Sequence, residues 1–76
     1  MTTQVNARAV YDVVPMGKGW LLKMAGDSVS EWHASKEDAV RRGRELGKAY
    51  GTWRVRVYAE SGALERELTS SAEAVS

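Results

Sequence analysis

The chain has 76 residues, 43% of them apolar and 28% charged, with 11 Lys and Arg against 10 Asp and Glu. That length makes one domain, which buries only about 60% of the surface its unfolded form exposes. The absence of cysteine excludes a disulfide and a single histidine, His33, argues against a four-ligand structural zinc site, so stability is expected from packing or self-association, with no cofactor.

Residues 1–8 are polar and aperiodic, and residues 69–76 are a run of Ser, Thr, Ala, Glu and Val. Both ends read as flexible tails around a single domain over 9–68. From Ala9 to Met24 the pattern is a hairpin. Val10–Val14 is β-branched and aromatic, Trp20–Met24 is apolar with one lysine, and Gly17-Lys18 form the two-residue turn, with glycine first as a type II′ turn requires. In that register Tyr11, Val13, Trp20, Leu22 and Met24 share one face. On the other, Asp12 stands opposite Lys23 and Val14 opposite Leu21, which joins unlike charges and like apolar groups.

Ala25-Gly26-Asp27 is a turn, and Val29–His33 reads as a short third strand. Ser35 then caps a helix whose first turn holds Glu37 and Asp38 and whose later turns hold Arg42, Arg44 and Lys48, the order the helix dipole favours. Gly51 ends it. Ala39, Val40, Gly43, Leu46, Gly47 and Tyr50 recur at helical spacing and form the inward stripe. Two glycines on an apolar helix face imply close approach of the sheet, with the bulk of a tryptophan against them. The last hairpin runs Thr52–Ala59, turns at Ser61-Gly62 and returns through Ala63–Leu68. A two-residue loop would set Arg56 opposite Glu67, Tyr58 opposite Glu65 and Val55 opposite Leu68.

The order is hairpin, short strand, helix, hairpin. It specifies an α+β domain with one helix packed on one face of a mainly antiparallel sheet of four or five strands. No apolar run approaches the roughly 20 residues of a membrane span, and none resembles a signal peptide, so a cytoplasmic protein is expected with no membrane partner.

Four segments, YDVVP, GWLLKMAG, HASKEDAVRRGRELGKAYG and the closing SG with ALERE, occur in an order that resembles a small prokaryotic family catalogued as domain of unknown function 2188. The resemblance spans about residues 11–68. Leu22 replaces the usual valine, Ser35 a threonine, Gly43 and Gly47 small alanines, and Ser61 an aspartate, all conservative for packing. The family has no established activity, so the resemblance implies the fold and carries over no catalytic residue. It also implies an accessory role in a bacterium or phage.

The chemistry-bearing residues are few. His33 would need a nucleophile and an orienting partner to act as a base. Ser30, Glu31 and Ser35 are near in sequence but form no recognised constellation, so His33 reads as a strand-end residue packed beside Trp32. Gly17-Lys18-Gly19 joins two strands and lacks the following helix of a phosphate loop. No catalytic or metal-binding residue is expected, and the protein reads as a non-enzyme.

A one-helix domain leaves one sheet face uncovered, here Val10, Val14, Leu21, Lys23, Arg54, Arg56 and Tyr58. Apolar, aromatic and arginine residues together suit a protein interface. The leading expectation is an interaction module that forms a homodimer and binds another protein through that face. The alternative is a nucleic-acid contact made by Arg41, Arg42, Arg44 and Lys48 on the helix with Arg54 and Arg56 on the sheet.

Overall fold

The computed structural model describes residues 8–28 and 30–70. Residues 1–7 and 71–76, which hold most of the two expected tails, and Val29 at the start of the expected third strand lie outside them. The elements are β1 (Ala9–Met16), β2 (Gly19–Met24), β3 (Ser30–His33), α1 (Lys36–Lys48), β4 (Trp53–Tyr58) and β5 (Leu64–Thr69). They form one five-stranded sheet in the order β3-β2-β1-β4-β5, with α1 on one face.

The first hairpin has the register its sequence specifies, with Asp12 opposite Lys23, Val13 opposite Leu22 and Val14 opposite Leu21. Gly17 has φ +62 and no non-glycine described residue has positive φ, so Lys18 does not; a type II′ turn fits and type I′ does not. β3 adds antiparallel to β2. The sheet is mixed, because β4 enters beside β1 and runs parallel to it, Ala9 aligned with Trp53 and Val13 with Val57. The chain leaves β3 at one edge, crosses back over the sheet as α1, and inserts β4 on the free side of β1.

α1 starts at Ser35, whose Oγ accepts the Asp38 N–H at 3.1 Å. Its inward face is Ala39, Gly43 and Gly47, with Val40 and Leu46 partly buried. The core beneath is Ala9, Tyr11, Val13, Leu22, Trp53, Val55 and Val57. At Gly47 the helix backbone rests on Trp53: a Cβ there would lie 2.5 Å from Trp53 Cβ and 2.7 Å from Cγ. The expected tryptophan contact is therefore Trp53. Tyr50 is the exception in the stripe. The helix ends at the Ala49 cap, and Tyr50, beyond it, is 47% exposed.

The second hairpin departs from the expected turn. Gly62 N–H bonds to Ala59 O and Ala59 N–H to Ala63 O, both at 2.9 Å, and Gly62 has φ +92. The loop is therefore three residues, Glu60-Ser61-Gly62, with glycine in the left-handed position such loops require. The extra residue is absorbed by a bulge. Arg56 opposes Glu67 and Val57 opposes Arg66 as a two-residue loop would give, but Tyr58 opposes Leu64, and Glu65 is left out of the pairing. The expected pairing of Tyr58 with Glu65 does not form. β5 continues through Thr69, and Ser70 Oγ accepts the Trp53 N–H at 3.1 Å.

Candidate functional site

The face away from α1 is built by alternate residues of all five strands. One cross-strand row is Val10, Arg54 and Thr69; the next is Ser30, Lys23, Asp12, Arg56 and Glu67. A third begins with Trp32, Leu21 and Val14 and ends with Tyr58 and Leu64. Val14 and Tyr58 share the wall of one depression of about 630 Å³, which also takes in Asp12, Pro15 and Glu60. The structure thus brings Val10, Val14, Leu21, Lys23, Arg54, Arg56 and Tyr58 onto one surface, with Lys23 exposed and the others half-buried.

Both arginines on this face lie beside carboxylates of the same face. Arg56 donates from Nε to Asp12 Oδ1 at 2.8 Å and from Nη2 to Oδ2 at 3.2 Å, a two-pronged clamp. The Asp12 carboxylate, by bonding to it, raises the Arg56 pKa further above its ordinary value. Asp12 therefore serves Arg56, although Lys23 is its cross-strand neighbour. Arg54 Nε lies 3.5 Å from Glu67 Oε2, close enough for an ion pair but without hydrogen-bond geometry, and that nitrogen is shielded from solvent.

Two residues belong to this surface that sequence reasoning did not place there. Trp32, 55% exposed, lies against the Cα of Gly19, where any side chain would collide with its ring, and its Nε1–H donates to Met16 O at 3.3 Å. Alternation along β3 sets Trp32 opposite in facing to His33, so the two are not packed together as expected. Leu64, 53% exposed, stands beside Tyr58 only because of the bulge. The signal for Trp32 was present in the alternation of Glu31, Trp32 and His33. For Leu64 no local signal existed.

The basic helix residues are on the other side. Arg41 pairs with Asp38, and Arg42 Nε lies 3.3 Å from Glu31 Oε1. Arg42 also approaches Glu45 at 3.9 Å. Arg44 lines a groove beside β5, and Lys48 is exposed in the last turn. They do not share a surface with Arg54 and Arg56. His33 Nε2 is 3.0 Å from Glu31 Oε1, and Ser35, the nearest hydroxyl along the chain, is used in capping the helix. The hydrogen bond from Arg42, and to a lesser extent that with His33, holds the Glu31 pKa below the ordinary carboxylate value against partial burial, which raises it. This cluster ties the β3 edge to α1. Among the described residues, no group of three or more His, Cys, Asp or Glu could hold a metal ion, and no helix is long and apolar enough to cross a membrane.

These features define a small α+β domain with one helix on one face of a mixed sheet. Residues 11–70 match the family described as an uncharacterized protein conserved in bacteria, domain of unknown function 2188 (DUF2188), and the chain belongs to that family. No curated protein and no solved structure matches it.

Proposed function

We propose that this domain is a non-enzymatic interaction module that self-associates through its open sheet face, in an accessory role in a bacterium or phage, and binds a further protein once assembled. The observation that carries the reading is the apolar row Trp32, Leu21, Val14, Tyr58 and Leu64, which crosses the whole sheet and has its two most exposed members at its ends. Exposed aromatic and aliphatic groups in one contiguous band favour burial against a partner. A second copy is the occupant that fits. The clamp of Arg56 on Asp12 and the pairing of Arg54 with Glu67 leave little net charge on the face, so two copies would not repel. Stacked sheets at about 10 Å let such rows interdigitate, and a core this small gains from added burial.

Sedimentation velocity at micromolar concentrations tests the reading. Wild type is expected to sediment as a dimer, and Trp32→Glu and Leu64→Glu as monomers with unchanged circular dichroism, since both side chains are more than half exposed. A wild-type monomer across the concentration range, or variants that associate like wild type, would refute it. The nucleic-acid reading is not favoured: Arg41, Arg42, Arg54 and Arg56 are ion-paired and divided between two faces.

A further inference from the structure

We propose that the groove on the helix side of β4 and β5 binds an acidic peptide, an extended segment presenting a carboxylate beside an aliphatic side chain. α1 packs against β1, β2, β3 and β4, and β5 stands at its margin. The space left is a cavity of about 240 Å³ with Val40 and Val57 in its floor. Its walls are Lys36, Arg41 and Arg44 from the helix and Arg66 from β5, with Glu37 the one acidic lining residue among those described.

Lys36 and Arg41 have exposed carboxylate partners. Glu65, turned to this side by the bulge, lies 3.1 Å from Lys36 Nζ, which also sits 5.3 Å from the Trp20 ring centroid. Asp38 holds Arg41. Exposed pairs of this kind contribute little, so an incoming carboxylate exchanges with them at small cost. Arg66 is exposed and, among the described residues, has no carboxylate on it.

The ligand class follows from size and chemistry. The volume falls below the roughly 300–1,000 Å³ of small-molecule sites, so the groove takes side chains of a larger partner and not a whole cofactor. Guanidinium forks match carboxylates in geometry. No described lining residue is aromatic, so a nucleobase finds no stacking platform. Val40 and Val57 instead offer an aliphatic seat. The groove is on the sheet face opposite the proposed self-association surface, so either can fail alone.

The test is a two-dimensional NMR titration of the full chain with three probes: acetyl-Glu-Val-Glu-amide, acetyl-Lys-Val-Lys-amide and oligothymidylate. The acidic peptide is expected to shift the Arg44 and Arg66 side-chain and Val57 backbone signals, more weakly as salt rises. Arg66→Glu and Arg66→Gln should each weaken it about tenfold or more, with circular dichroism unchanged because the side chain is exposed. Leu64→Glu on the opposite face should bind like wild type. Absence of shifts with the acidic peptide, equal binding by the Arg66 variants, or preferential binding of the lysine peptide or the oligonucleotide in this groove would each overturn the proposal.

Discussion

Gly47→Ala isolates how the helix is docked. Alanine is the better helix former by up to about 1 kcal/mol, so on propensity alone the substitution stabilises. The new methyl, however, would sit 2.5 Å from Trp53 Cβ, while non-bonded carbons prefer about 3.5–4.0 Å. No rotamer of Trp53 relieves this, because Cβ is fixed to the β4 backbone. Helix and strand must separate by about 1 Å, loosening the packing of Leu46 and of a tryptophan only 3% exposed. Overpacking costs about 1–3 kcal/mol, and a clash with a backbone-fixed atom belongs at the upper end, about 2–3 kcal/mol. After the propensity gain, the net effect is a loss of about 1–2 kcal/mol.

Gly43 is the internal control. A Cβ there meets Leu22 Cδ1 at 3.2 Å and Val55 Cγ2 at 3.3 Å, and the first of these is a terminal methyl that can rotate away. Gly43→Ala should fall within about 0.5 kcal/mol of wild type, propensity and crowding cancelling. Urea unfolding followed by tryptophan fluorescence measures both. For a domain this size, Gly47→Ala should lower Tm by roughly 4–16 °C, and Gly43→Ala by much less. A Gly47→Ala protein as stable as Gly43→Ala would refute the contact with Trp53.

Ser35→Ala removes the cap on Asp38 N–H and should cost about 1 kcal/mol in the same assay. Asp12→Ala leaves the half-buried Arg56 without its carboxylate and should cost about 1 kcal/mol, tempered by partial exposure of both side chains; Lys23→Ala should cost less, which double-mutant cycles with Arg56→Ala would verify. Glu31 has a depressed pKa, so its contribution is fully present above the ordinary carboxylate value near 4.5 and fades as pH falls through the lower folded value. Glu31→Gln should accordingly be less stable than wild type at neutral pH, with the difference closing on acidification; a gap that is constant with pH would contradict the Arg42 pairing.

What could be read from the residues was what short range determines. The first hairpin is set by Gly17, by Asp12 facing Lys23 and by strict alternation, and its register was recoverable to the residue. The helix start was equally readable, since Ser35 and Asp38 carry the cap between them. The parallel pairing of β1 with β4 was not. It joins residues separated by the whole helix, and any β-branched strand of that length would satisfy either direction. Tyr50 misled because a helical repeat in sequence does not reveal where the helix stops.

The bulge in β5 is the feature with the widest consequences. In an unbroken ladder Leu64 would alternate with Glu65 and Glu67, and Glu65 would project beside Tyr58 into the open face. The three-residue loop adds one position, and the strand absorbs it between Val57 and Tyr58. Leu64 is thereby exchanged for Glu65 at the end of the apolar row, and Glu65 passes to the helix side, where Lys36 meets it. A carboxylate beside Tyr58 would have interrupted that row and placed an unmatched charge on it, since Arg54 and Arg56 are already engaged. The same displacement leaves the β5 edge charged and irregular, which discourages pairing with another strand. One inserted residue therefore sets the character of both faces, making the open side a surface for apolar contact and the helix side a surface for charge.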